Sequence, residues 1–239
     1  MIEAHIIAWN EADTIHLTIK HYQAFCSRII LWDNHSTDNT REIAKSMNCI
    51  VKTFGNKGEL SDRAYMELKN ECWKKKHPGI DHRSWVIVVD ADEILSGYPQ
   101  KDTGATIYKT IGWNVFSHDM PVDSWQEITN GHYEQNYSKT VLFDPKAITD
   151  INFHIGCHMS TPKGNVVFSK ESIFLLHYRN VGGPQRLIDR HNVYRARMSK
   201  ENLQRKWGHH YLVTDEERVK EWEDKYRKSV PLSQAISLQ

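Results

Sequence analysis

Trp85-Val86-Ile87-Val88-Val89-Asp90-Ala91-Asp92-Glu93-Ile94-Leu95 is the stretch that decides how this chain reads. Val86 to Val89 is an unbroken β-branched run, the composition of a strand covered on both faces inside a mainly parallel sheet. It stops abruptly at two carboxylates, Asp90 and Asp92, with Glu93 beside them. Open α/β sheets bind ligands just beyond the carboxyl ends of their strands. Paired carboxylates there suit a hard divalent cation, Mg²⁺ or Mn²⁺, which can in turn grip a diphosphate. The competing reading is a solvated acidic turn that only closes a strand, because short Asp-x-Asp patterns recur by chance.

Upstream, strands and helices alternate. Glu3 to Trp9 reads as a strand, followed by a helix capped by Asp13 with Ile15, Ile19, Tyr22 and Cys26 on one face. Arg28 to Trp32 is a second strand. The capping-rich His35–Thr40 then opens a helix that buries Ile43, Ala44 and Met47. Cys49 to Phe54 is a third strand. A helix capped near Ser61, with Tyr65, Leu68 and Cys72 inward, is closed by Lys74-Lys75-Lys76-His77-Pro78-Gly79. With the Trp85–Val89 strand, the order β-α-β-α-β-α-β predicts an α/β fold with a parallel, nucleotide-binding type of sheet flanked by helices.

Downstream the pattern changes. Short strands are expected at Ile111–Phe116, Lys139–Phe143, Asn165–Phe168 and Ser172–Tyr178, in a mixed second half. Helices follow from Gln185 to Leu203 and from Thr214 to Lys228. In the last, Thr214 and Glu217 have capping-box spacing, and Val219, Trp222 and Tyr226 form an apolar stripe. No linker or internal repeat interrupts the chain, which reads as one domain over 1–239, with a nucleotide half to residue 95 and an acceptor and metal-completing half from residue 96.

Lys plus Arg number 31 against 30 Asp plus Glu, a formal charge of +1, so there is none of the basic excess of a nucleic-acid binder. Cys26, Cys49, Cys72 and Cys157 are widely spaced, without Cys-x-x-Cys, and read as the free thiols of a reducing compartment. No basic-then-apolar leader stands at the N-terminus, and no apolar run approaches the roughly 20 residues that span a bilayer. The expectation is a cytoplasmic protein.

Three motifs follow successive predicted strands: Trp9-Asn10-Glu11, Trp32-Asp33-Asn34-His35-Ser36-Thr37-Asp38-Asn39-Thr40, and Asp90-Ala91-Asp92-Glu93. Together they resemble the family 2 type of glycosyltransferases with the GT-A (Rossmann-like) fold, over about residues 2 to 95. The second half resembles compact members through Trp113, Phe116, Ser138-Lys139 and a late His177-Tyr178-Arg179. The resemblance implies a metal-dependent enzyme that moves a sugar from a nucleotide-sugar, a UDP-sugar above others, to a glycan or other hydroxyl acceptor, with inversion.

It also implies roles residue by residue. Asp33 would recognise the base, or else cap the helix entry. Asn10 and Glu11 would line the nucleotide cleft, or else form a tight turn. Arg63, with Asn70, would approach the diphosphate, or else pair with Glu67 at helical spacing. Asp92 would ligate Mn²⁺ or Mg²⁺ directly, and Asp90 would meet ribose or a metal-bound water. His177 would complete the metal shell, or else sit satisfied in the core. Arg179, Arg186 and Arg190 would meet phosphate, or else be solvated helix charges.

An inverting transferase needs a general base near the acceptor hydroxyl. The Glu-Asp pair that the family places after its later strand does not stand after Phe143. Asp150 and His158 are the candidates in that region. His154-x-x-x-His158 lacks the Glu of a zinc helix and has Gly156 inside it, which excludes that reading. Two other classes compete: a haloacid-dehalogenase-like phosphatase with Asp90 as nucleophile, and a non-catalytic nucleotide-sugar-binding domain.

Overall fold

The computed structural model describes residues 1–74, 84–98 and 104–233, and the expected helix stop at Lys75–Gly79 lies outside them. The first half alternates β1 (Ile2–Ala8), α1 (Ile15–Gln23), β2 (Arg28–Asp33), α2 (Thr40–Ser46), β3 (Ile50–Thr53), α3 (Asp62–Glu71) and β4 (Trp85–Asp90). Then come β5 (Glu93–Leu95), β6 (Ile107–Ser117), β7 (Asn130–Tyr133), β8 (Leu142–Phe143), β9 (Ile148–Asp150), β10 (Lys163–Gly164) and β11 (Phe168–Val181). Helices α4 (Gly183–Arg197), α5 (Lys200–Arg205) and α6 (Asp215–Arg227) precede a two-residue β12 (Val230–Pro231).

One sheet runs β12-β7-β6-β8-β4-β1-β2-β3, and β11 joins it against β6 and β5. Strands β3, β2, β1 and β4 are mutually parallel, as the alternation predicts. Beyond β4 the pairing turns antiparallel through β8, β6 and β7, so the second half is mixed. Strand β4 divides its side chains between two cores. Ile87 and Val89 pack with Ile15, Ile19 and Tyr22 of α1. Val86 and Val88 pack on the other face with Cys72, Tyr65 and Leu68 from the α3 segment. Each such side chain withdrawn from water contributes roughly 1.5–3 kcal/mol, which explains why this strand lacks any polar residue before Asp90.

Several local expectations are corrected. Asp13 does not cap α1; it is exposed, and the helix begins after Thr14 without a side-chain cap. The capping-rich Ser36–Thr40 segment instead ties loops together: Asp38 accepts from the Ala12 and Thr40 amides, 3.0 Å each. The strand expected at Lys139–Phe143 shrinks to Leu142–Phe143. Asn165–Val167 is not a strand, and Phe168 opens the longer β11 that contains Ser172–Tyr178. The helix expected from Gln185 to Leu203 breaks at Met198, whose ψ is 129°, and Ser199 caps a new helix by accepting from the Asn202 amide. Ser61 and the Thr214/Glu217 capping box act as their spacing predicts. The four cysteines are free thiols. No helix of the described residues is long and apolar enough to cross a membrane.

A buried polar relay fixes the turn after β4. Thr18 Oγ1 donates to the Ala91 carbonyl at 2.6 Å and accepts from Trp125 Nε1 at 3.0 Å. Thr18→Val keeps the shape and orphans both partners, at about 1–3 kcal/mol for each buried group. The expected outcome is a loss of at least about 2 kcal/mol in urea unfolding; a loss within error would remove the relay as a cause of the turn's geometry.

Candidate functional site

The strands β1 and β4 end side by side, with Ile7 opposite Asp90 in register. Ala91 N–H donates to Ile7 O and Tyr178 N–H to Asp92 O, so the Asp-Ala-Asp turn is pinned between β1 and β11. Above it opens a cleft of about 330 Å³, walled by the loop after β1, α3, β11 and the C-terminal helices.

Asp90 and Asp92 diverge there. Asp90 Oδ1 lies 2.7 Å from Lys69 Nζ, and its Oδ2 lies 3.8 Å from Lys139 Nζ. Lys139 also pairs closely with Glu93, whose other oxygen accepts the Asp90 amide at 2.9 Å. Burial raises the Glu93 carboxyl, but Lys139 and Lys69 overcome that and bring it down to about 2. Burial likewise works against the Lys69 ammonium, and Asp90 outweighs it, so the lysine is held charged. Asp90 is therefore committed to lysines.

Among the described residues Asp92 pairs with no lysine. Its Oδ1 faces His177 Nε2 across 3.5 Å. His177 is paired in register with Asn114 of β6, and its Nδ1 donates to Asn114 Oδ1 at 3.0 Å. With that tautomer a neutral imidazole presents its Nε2 lone pair to the carboxylate, and a protonated one donates to it as an ion pair. Burial raises the Asp92 carboxyl, and the fields of His177, Arg190 and Arg179 reverse this and hold it well below the usual range. Among the described residues no group of three or more His, Cys, Asp or Glu is poised around a metal. A carboxylate and an imidazole nitrogen nevertheless fit Mg²⁺ or Mn²⁺ when phosphate oxygens and water supply the rest of the shell, the usual habit of Mg²⁺.

Glu11 lines the cleft through a two-pronged pair with Arg190, 2.8 and 2.6 Å, and Arg190 also donates to Tyr194 at 3.0 Å. Tyr137 stands beside His177, ring centroids 4.4 Å apart, and meets His158 edge-on at 5.3 Å. The Tyr137–Ser138 turn rests on Gly112, where a Cβ would come within 2.2 Å of the Tyr137 carbonyl carbon. His158 lines the cleft, and its Nδ1 donates to Asn136 O at 2.9 Å, which leaves Nε2 outside that bond. The residue stays exposed at the cleft rim, but partial desolvation of its ring and the nearby Lys139 lower this histidine to about 4.

Four sequence candidates do not reach the cleft. Asp33 is fully buried and both its oxygens accept the Ser36 amide, at 3.3 and 3.1 Å, so it closes the turn after β2 and does not cap α2, whose N-cap is Asn39. Asn10, in the left-handed region at φ 51°, cross-links to Ser36 and Thr37. Arg63 pairs with neither a diphosphate-facing group nor Glu67 but with Glu201, 2.9 Å away. Asp150 sits 3.4 Å from Lys74 beside a separate small pocket bounded by Glu67, Asn70, Glu71 and Asn152. Lys69 was not read as a site residue. Its signal was available, because it lies four positions after the inward Tyr65 and so on the same helix face.

No protein-family model matches the chain, and no curated protein matches it. Solved structures give partial superpositions. Glucosyl-3-phosphoglycerate synthase from Mycobacterium tuberculosis with phosphoglyceric acid is 19% identical, over 47% of this chain and 44% of that one, with a TM-score of 0.34. The same enzyme with Mg²⁺ and uridine-diphosphate is 18% identical, over 47% and 43%, TM-score 0.33. Mannosyl-3-phosphoglycerate synthase from Rubrobacter xylanophilus is 17% identical, over 47% and 40%, TM-score 0.33. The matched part spans less than half of each of these chains.

The Glu11–Arg190 pair supplies a test of the cleft's construction. Removing one partner of a buried pair leaves an uncompensated charge, at about 3–5 kcal/mol, whereas replacing both with apolar groups is far milder. Glu11→Ala should therefore lose about 3 kcal/mol and Glu11→Leu with Arg190→Met clearly less in denaturant unfolding. Equal losses would show that the pair does not tie α4 to the sheet.

Proposed function

We propose that this protein is a metal-dependent glycosyltransferase that moves a sugar from a nucleotide-sugar, a UDP-sugar in the first instance, to an acceptor hydroxyl with inversion. One observation carries the reading: at the carboxyl end of the central parallel strands, the Asp92 carboxylate and His177 Nε2 face each other at 3.5 Å, a carboxylate and an imidazole nitrogen able to ligate one divalent cation. Asp92 and His177 would hold Mn²⁺ or Mg²⁺ there, and the ion would supply Lewis-acid stabilisation of the leaving diphosphate. Arg190 and Lys139 place further positive charge in the same cleft.

His158 is the proposed base. With Nδ1–H held by Asn136 O, its Nε2 takes the acceptor's hydroxyl proton. The acceptor oxygen bonds to the anomeric carbon on the face opposite the departing diphosphate, which leaves with the electron pair of its broken C–O bond. Tyr137, between His158 and His177, would wall the sugar between base and metal ligands.

Two measurements test this. A thermal-shift panel of UDP-, GDP- and dTDP-sugars with and without Mn²⁺ should show one nucleotide that stabilises only with metal, by about 2.7 kcal/mol at a hundredfold excess over its Kd. Asp92→Ala should abolish the effect. Stabilisation by phosphate analogues alone would move the phosphatase reading ahead. For the base, the depressed value of about 4 keeps Nε2 unprotonated well into acid. The acid limb of kcat/KM should then fall below about pH 5 rather than near 6.5, and His158→Gln should lower kcat by about 100-fold or more. An unchanged kcat in that variant would assign the base elsewhere.

A further inference from the structure

The charges lining the cleft are almost all matched. Lys69 and Lys139 have Asp90 and Glu93, Arg190 has Glu11, and Lys225 has Glu134 and Glu221. Arg179 and Arg218 are the exceptions: among the described residues neither guanidinium has a carboxylate partner. Arg218 is withdrawn from water to 7% exposure, and Arg179 is half-buried. Two like charges taken from water without a counter-ion are costly, so their retention needs an account.

Glu221 and Asp215 act on Arg218 and Asp92 on Arg179 only at longer range, and several of the buried groups around the two arginines are donors. Arg179 Nη2 donates to His191 Nε2 at 2.7 Å, which puts the imidazole proton on Nδ1. That Nδ1 is buried and has no hydrogen-bond partner, and His191 itself is 3% exposed. Arg179 Nε is a second buried donor without a partner. Arg218 donates to the His210 carbonyl, and the His210 ring stands 6.2 Å from that of His191. Tyr194 and Tyr211 face the Arg179 guanidinium at 5.7 and 5.2 Å, fixing its plane. Buried polar groups are seldom left unsatisfied, so a wall of orphaned donors between two unpaired cations is complementary to an oxyanion.

This wall starts two residues after His177 and leads away from the strand ends through α4, the His209–Leu212 turn and α6. The donor diphosphate has its own provision at Asp92 and His177. We infer that Arg179, His191 and Arg218 form a second anion subsite, which seats a phosphate or carboxylate group carried by the acceptor. The inference rests on the transferase reading and adds to it that the acceptor is anionic.

The test is calorimetric titration of inorganic phosphate into the full chain saturated with UDP and Mg²⁺, on wild type, Arg218→Gln and Arg218→Lys. Phosphate should bind wild type with UDP in place. Its Kd should rise about tenfold or more in Arg218→Gln and recover largely in Arg218→Lys, since a charge-assisted hydrogen bond is worth that much. UDP affinity should stay the same in all three, which also controls for folding. A parallel titration with acetate at equal ionic strength, if it matches phosphate, names the carboxylate as sufficient. Phosphate that expels UDP would assign these guanidinium groups to the donor diphosphate and overturn the inference, as would equal phosphate affinity in the three proteins. Failure of UDP to bind wild type would defeat the transferase reading itself; phosphate binding that Arg218→Gln still removes would then be an anion site with no acceptor role.

Discussion

The structure depends on a cluster of four charges, with Lys69, Lys139 and Glu93 buried and Asp90 partly open to the cleft. Strand β4 is apolar on both faces because helices cover both, and its carboxylates emerge while still largely enclosed. In a low-dielectric setting such groups must be paired, and each pairing draws in a distant part of the chain. Lys69 comes from α3 on one side of the sheet and Lys139 from the segment before β8. The need to neutralise Asp90 and Glu93 thus joins the parallel half to the mixed half at the point where the cleft opens.

That arrangement also sorts two chemically identical side chains. Asp90 is consumed by lysines, so its charge is spent on holding the fold. Asp92, one turn of chain later, is out of their reach and is met instead by a histidine whose other nitrogen is tied to Asn114. The long β11 makes this possible. It runs parallel to β6 and antiparallel to β5, so its register places His177 beside Asn114 on one side and Glu93 on the other. A slip of one residue would turn His177 to the opposite face of the sheet.

The C-terminal helices complete the cleft by charge and by aromatic contact. Arg190 on α4 reaches back to Glu11 after β1, and Tyr194 meets Trp9 with ring centroids 5.9 Å apart. Farther along, Arg197 lies over the Trp9 ring, 3.3 Å from its centroid, and donates to Asn34. Residues near the two ends of the chain therefore share one wall.

The alternating half was legible in the sequence because its signals are local. A β-branched run, a 3.6-residue apolar period and a Ser61 cap each act within a few residues, and they gave β1 to β4, the intervening helices and the acidic strand end. Strand-end logic pointed to Asp92, whereas His177 was marked only by the family resemblance and lies inside β11, where it lines the same cleft. What sequence order could not supply is which charged side chains meet across long separations. Asp33, Asn10 and Arg63 are absorbed by nearby turns and by Glu201, since a short polar side chain beside unpaired amides satisfies them before it can serve a ligand. Asp150 lands beside another pocket because β9 pairs with β10 rather than with the main sheet. The commitment of Asp90 to Lys69, the Glu11–Arg190 pair and the uncompensated Arg179 and Arg218 arise only when packing brings distant segments together. Local periodicity determined the layers; desolvation, which requires every buried charge to find a partner or go without one, determined the site.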